Sequence, residues 1–185
     1  MLSAGGFRDV GQKLEIACAS CYTPGCEPCE VDRVSGRTRS RMMASVRARD
    51  TKPELAVRLR LFAMGFRYRL HRRDLPGTPD IVLPKYSAAI LVHGCFWHQH
   101  GCRRSQLPET RREWWKTKLL ENRRRDEASV DGLKALGWRV LVIWECGFRG
   151  PGIAREEALD RIAGRAARFL RSRRRFLAIP AAPSG

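Results

Sequence analysis

Three of the four histidines in this 185-residue chain fall within residues 93–102, the run His93-Gly-Cys-Phe-Trp-His-Gln-His-Gly-Cys102. Cys95, His100 and Cys102 offer three soft or borderline metal ligands in one loop, and Cys146 could complete a tetrahedral Cys3His zinc sphere. Four protein ligands close the sphere, so such a zinc would be structural. Spacing alone does not separate His98 from His100 as the fourth ligand, because residues two apart share a face of an extended loop. The competing reading is three buried free thiols beside a surface histidine.

Other residues could handle a phosphate. Asp80 follows Pro79 at the head of an apolar run, where a carboxylate is costly unless it is paired or metal-bound; it suits Mg2+, and the alternative is a turn cap after Pro76-Gly77. Asp126 ends Arg123-Arg-Arg-Asp126, which reads first as a solvated charged face. Glu54 has a full structural account as the Glu of a capping box begun by Thr51. Phe96-Trp97 and Trp114-Trp115 lie in or near polar, basic segments, where aromatic rings either wedge between base pairs or simply pack. Met42-Met43, between arginines, carries the same pair of readings.

These residues need a frame. Thr51-Lys-Pro-Glu54 starts a helix whose Leu55, Leu59, Phe62 and Ala63 recur on one face until Gly65. Residues 66–70 alternate like a strand. Residues 80–83 and 87–92 are apolar runs that read as paired buried strands. A long helix follows over about 113–136, then the strong strand 138–144, then a basic helix over about 154–170 and a tail from Pro180. Helix, three strands, helix, strand predicts an α/β fold with a mixed sheet flanked by helices, the last strand being reached by a helical crossover. A short basic helical segment is expected from Thr38.

The formal net charge of +17, from 36 Lys and Arg against 19 Asp and Glu, calls for a polyanionic partner, nucleic acid first. No apolar run reaches the roughly 18 residues of a membrane span, and the start lacks a secretory pattern. The expected setting is the cytoplasm. Residues 1–32 read as an N-terminal extension, expected to be disordered; its Cys18-x-x-Cys21 and Cys26-x-x-Cys29 pairs sit closer together than in a zinc ribbon. The main domain spans 33–150, the basic C-terminal helix 151–178, packed on or extending it, and the tail 179–185.

Taken together, Arg39-Ser-Arg-Met-Met43, Pro76-Gly-Thr-Pro-Asp80, His93-Gly-Cys-Phe-Trp-His98 and Gly137-Trp-Arg-Val through Trp144-Glu-Cys146 resemble the very short patch repair (Vsr) DNA mismatch endonucleases. The resemblance covers roughly residues 33–150. It implies a core related to type II restriction enzymes, of the PD-(D/E)xK-related kind with a structural zinc site. It also implies Mg2+-dependent nicking on the 5′ side of the T in T:G mismatches left by deamination of 5-methylcytosine. By position, Asp80 and the carbonyl of Val92 would bind Mg2+, with Glu54 near the metal. His98 would be the general base, Asp126 its orienting partner and His93 a second catalytic histidine. The same comparison makes Cys95, His100, Cys102 and Cys146 the zinc set, and makes Phe96, Trp97 and Trp115, with Met43 from the minor groove, the residues that wedge into DNA.

The expected partners are double-stranded DNA with a T:G mismatch, a cytosine-5 methyltransferase of the same cell and mismatch-repair proteins such as MutL, the chain itself acting as a monomer. Val92, Gln99 and Gly101 depart from residues seen in family members, but none removes a proposed side-chain ligand. No Glu-x-Lys follows Asp80, so the chemistry must lean on histidine. Two alternatives stand beside this reading: a nickase without mismatch selectivity, and a zinc-stabilised DNA-binding module without catalysis.

Overall fold

The computed structural model describes residues 35, 37, 38, 41, 49–148 and 152–180. Met43, most of the expected basic segment around it and the four leader cysteines lie outside the described residues. The chain divides into Met1–Arg33 and Val34–Gly185, and everything below concerns the second unit.

Thr51 starts the first helix, α1 (Lys52–Ala63), as the sequence predicts: its hydroxyl accepts from the Glu54 backbone N–H at 3.4 Å and donates to the Glu54 carboxylate at 2.8 Å. Gly65, at φ +86, ends it. The helix turns the other way round from the expectation. Leu55, Leu59 and Phe62 are exposed, and the inward stripe is Glu54, Val57, Arg58 and Leu61. Both stripes have helical spacing, so periodicity did not choose between them. The inner one is tolerable because its two charges cancel, Arg58 donating to Glu54 at 2.7 Å and also pairing with Asp50. Leu61 is fully buried and Leu59 is 68% exposed. Leu61→Ala is therefore expected to cost about 2–5 kcal/mol in urea unfolding, and Leu59→Ala less than about 0.5 kcal/mol; equal costs would contradict this orientation.

Five strands form one mixed sheet in the order β1 (Arg69–Leu70), β2 (Ile81–Leu83), β3 (Ala88–His93), β4 (Arg139–Trp144) and β5 (Phe176–Ile179). The first two junctions are antiparallel and the last two parallel. Helix α2 (Arg112–Ala135) carries the chain from β3 to β4, and α3 (Gly152–Arg171) carries it from β4 to β5. Two expectations need correcting. The first strand shrinks to Arg69–Leu70, because Phe66 turns into the core. The segment expected to be all helix to residue 178 instead ends in a fifth strand, which pairs Val140 with Phe176 and Ile143 with Ile179. Four residues are too few to show a period, and only the open edge of β4 makes them a strand.

Strand alternation divides the core in two. Ile81, Leu83, Ile90 and Ile143 face Val57 and Leu61 of α1 and Ile162, Ala166 and Phe169 of α3. Val82, Ala89, Leu91, Val140 and Val142 face Leu133 of α2 and Leu75. Two residues beyond Leu91 and Val142, and two before Val82 in the antiparallel β2, the same alternation places His93, Trp144 and Asp80 on the α2 face. His93 and Trp144 lie at the carboxyl ends of β3 and β4, where the parallel register pairs them, and Asp80 enters β2 beside them. Among the described residues, no helix is long and apolar enough to cross a membrane.

Candidate active site and metal cluster

The loop that leaves β3 is folded on itself by its own backbone. The His98 N–H donates to the Gly94 carbonyl at 3.2 Å and the His100 N–H to the Cys95 carbonyl at 3.2 Å. Gln99 (φ +50) and Gly101 (φ +84) supply the left-handed turns. A buried serine that the sequence did not flag locks the loop from inside: Ser105 Oγ donates to the Cys95 carbonyl at 3.1 Å and accepts from the Gly101 N–H at 3.0 Å. Nothing in the composition marks this serine; only the return of the chain after Cys102 places it there.

The fold points the alternate side chains of this loop to two sites. On one side the ligand atoms of Cys95, His100, Cys102 and Cys146 all lie within 4.8 Å of one another. His100 Nδ1 is 3.3 Å from Cys146 Sγ and 3.9 Å from Cys95 Sγ, and the Trp144 ring stacks on the imidazole at 4.4 Å. Burial, against a hydrogen bond from the Cys146 backbone and with the Cys146 thiol adding to the rise, pushes the Cys95 thiol up to about 12, and burial also raises Cys146. Burial acts upward on Cys102 too, but hydrogen bonds from His100, the Arg104 backbone, Cys95 and Ser105 outweigh it and bring that thiol down to about 6. This donor set fits a thiophilic cation, which would let all three sulfurs ionise together.

On the other side, Asp80, His93, His98 and Asp126 line one cleft of about 230 Å3 with His71 and Thr78. His98 Nδ1 is 2.6 Å from an Asp126 carboxylate oxygen, so the carboxylate fixes the proton on Nδ1 and leaves Nε2 as the basic nitrogen. The rings of His93 and His98 stack in parallel, 3.9 Å apart and 6° from coplanar. Burial, and then the neighbouring His98, hold the His93 pKa well below the ordinary histidine value. Buried His93 Nδ1 has no hydrogen-bond partner among the described residues.

Burial drives the Asp80 carboxyl up to about 6 against the opposing hydrogen bond from the Val92 N–H, 2.7 Å from Oδ2, with the Glu54 charge adding to the rise. In a strand the N–H and C=O of one residue point the same way. The Val92 carbonyl therefore faces the Asp80 side too, past the end of β2. An under-compensated carboxylate beside a main-chain carbonyl fits a hard divalent cation. Glu54 acts on Asp80 through its charge. Its oxygens are taken by Thr51, the Asp50 N–H at 3.0 Å and Arg58, which is the capping-box role.

Phe96, Trp97 and Trp115 pack in a half-buried aromatic group, with centroids 5.1 to 6.0 Å apart. Trp114 stands exposed beside them. Asn122 of α2, not singled out from the sequence, donates to the Trp97 carbonyl at 3.1 Å and so ties the aromatic loop to the helix that carries Asp126.

Comparison with known proteins identifies the family. The profile of the family described as DNA mismatch endonuclease Vsr matches residues 31–104. The type II nicking enzyme V.XorIIP of Xanthomonas oryzae pv. oryzae is 52% identical over 115 residues, covering 62% of this chain and 85% of that protein. The type II nicking enzyme V.NmeAIP of Neisseria meningitidis is 40% identical over 118 residues, 64% and 84% of the two chains. The DNA mismatch endonuclease Vsr of Escherichia coli is 42% identical over 122 residues, 66% and 78%. Similarity at this level, sustained over most of each relative, shows that the chain belongs to the Vsr family of DNA-nicking enzymes and is an endodeoxyribonuclease.

Proposed function

We propose that the protein nicks one strand of duplex DNA on the 5′ side of the T in a T:G mismatch, the product of 5-methylcytosine deamination, on a restriction-endonuclease-like core spanning residues 33–150. The observation that carries the chemistry is the His98–Asp126 pair stacked on a neutral, buried His93 in the same cleft as Asp80. His98 Nε2 takes the proton of the attacking water, and Asp126 stabilises the imidazolium that forms. His93, kept neutral, has an N–H to give to a phosphate oxygen without competing for the proton. Asp80 and the Val92 carbonyl would hold Mg2+, which when bound stabilises charge on the phosphate and the leaving oxygen. Glu54 acts through the field it exerts on Asp80.

Cys95, His100, Cys102 and Cys146 would hold a structural zinc that fixes the loop carrying His98. Phe96, Trp97 and Trp115, together with Met43 from the minor-groove side, would wedge into the stack beside the mismatch, and a T:G step costs less to open than a well-paired one. A cytosine-5 methyltransferase of the same cell would create the precursor of the lesion.

Strand-specific mapping of the cut on T:G, T:A and C:G duplexes in Mg2+ tests the reading. The expected product is a single nick 5′ of the mismatched T; equal nicking of the T:A duplex would favour the nickase without mismatch selectivity. In the same assay His98→Ala is expected to lower the rate about 10²–10⁴-fold with duplex binding retained. A variant that nicks at the wild-type rate would remove His98 from the mechanism.

A further inference from the structure

The arginines of the C-terminal part lie on the sheet face and at the strand pole away from the catalytic cleft. Residues 161–175 hold seven arginines and no acidic residue. Arg161, Arg165 and Arg168 recur at helical spacing on the exposed face of α3, around a notch left by Gly164. This helix covers the sheet face opposite α2, whereas the catalytic residues are on the α2 face. Arg173, Arg174 and Arg175 are exposed in the turn just before β5. That turn enters the parallel strands at their amino ends, and the cleft lies at their carboxyl ends. Six-residue strands separate the two poles by about 20 Å.

The local acidic groups are already engaged. Glu156 and Asp160 both pair with Arg60 of α1, and Glu157 is 3.7 Å from Arg161. Arg165, Arg168, Arg173, Arg174 and Arg175 have no ionic partner among the described residues. Stabilising the α3 dipole accounts for one or two cations in its last turn, not for a cluster of this size. The turn is also held from beneath. The Arg139 guanidinium donates to the carbonyls of Leu170 at 3.1 Å, of Arg174 at 2.9 Å and of Phe169. The backbone that displays these side chains is therefore fixed before any ligand arrives, and their ordering cost falls mainly on the side chains.

We propose that this surface is a second, sequence-independent binding site for the phosphate backbone of double-stranded DNA, so that one molecule holds two duplex segments, one in the cleft and one on the back of α3. The proposal rests on the reading that the cleft itself holds DNA. Its chemistry is the bidentate match of guanidinium to phosphate and the release of counterions.

The test uses the full chain without added Mg2+. Protein is loaded on a bead-bound T:G duplex, washed, and offered a separate fluorescent matched duplex. Wild type is expected to capture the second duplex, with a log–log salt slope of about −4 to −5 for five phosphate contacts. The variant R165Q/R168Q/R173Q/R174Q/R175Q is expected to capture at least ~10-fold less, while binding the bead-bound duplex, nicking it in Mg2+ and unfolding as wild type does. Undiminished capture by the variant, or none by wild type, overturns the proposal. Capture of poly-glutamate by wild type in place of the second duplex overturns it as well, assigning the arginines to an acidic protein. Capture is scored on binding, so failure of wild type to nick the T:G duplex counts against the nuclease reading alone.

Discussion

Asp80→Asn is expected to abolish nicking and, at the same time, to make the Mg2+-free protein more stable than wild type at pH 7.5. The carboxyl is moved from its ordinary 3.8 to about 6, chiefly by burial. A folded protein that holds a proton more tightly than its unfolded chain is penalised as pH rises. The penalty starts near 3.8, where the unfolded chain ionises, and is complete above about 6, where the folded protein ionises too. A displacement of this size corresponds to at most about 3 kcal/mol; Asn removes the charge and keeps an oxygen to accept from the Val92 N–H. We expect a gain of about 1–3 kcal/mol, a few degrees in Tm, that disappears on titration to pH 4. Burial of neutral His93 acts in the opposite sense, costing stability as pH falls below the ordinary histidine value, but it is common to both proteins and cancels in the difference. Mg2+ should raise the Tm of wild type and not of the variant. Nicking should fall at least ~10³-fold, since metal assistance supplies several kcal/mol of transition-state stabilisation. A variant destabilised at pH 7.5, or one whose gain is the same at pH 4, would show that the charge of Asp80 is not what the fold pays for.

The ligand cluster was legible in the sequence because its residue types are rare and three of the four share one short loop. The contest between His98 and His100 was not, because it depends on how Gln99 and Gly101 turn the backbone, and spacing does not record a left-handed φ. Asp126 shows the same limit at longer range. As part of Arg123-Arg-Arg-Asp126 it reads as solvated charge, and only the phase of α2 against the β3 loop brings its carboxylate to His98, 28 residues away. The mixed sheet could be read from its apolar runs, but not the inner face of α1, where a buried Glu54–Arg58 pair displaced the more apolar stripe. The fifth strand was missed because four residues carry too little pattern. For Asp126 and the fifth strand the deciding interaction is made with a distant part of the chain; for α1 and the His98–His100 loop it is a neighbouring ion pair and a local backbone turn that residue pattern does not record.

Cys146→Ser is expected to remove both the metal and the nicking activity, although Cys146 does not line the catalytic cleft. Three of the four cluster residues come from the loop after β3, and Cys146 comes from the turn that follows β4, Glu145–Phe148. A zinc held by all four would join the two strand ends that carry His93 and Trp144. The shared loop alternates duties residue by residue: Cys95 lies between His93 and His98, and His100 two positions beyond His98. Loss of one ligand therefore frees the backbone that fixes His98, the proposed general base, and the Phe96–Trp97 pair, and a displacement of about 1 Å at a reacting group can cost on the order of 10²-fold. Small zinc modules draw about 10–16 kcal/mol from the metal; this chain has its own core, so destabilisation of several kcal/mol is expected rather than unfolding. Metal analysis should find about one zinc per wild-type chain and almost none in the variant, and a chelator should lower the Tm of wild type alone. Serine is nearly isosteric with cysteine, so a cluster of merely packed thiols would tolerate the exchange at a cost of about 1 kcal/mol. A metal-free wild type that nicks normally and melts like the variant would reduce the four residues to packing and leave the rigidity of the His98 loop to Ser105 and its hydrogen bonds alone.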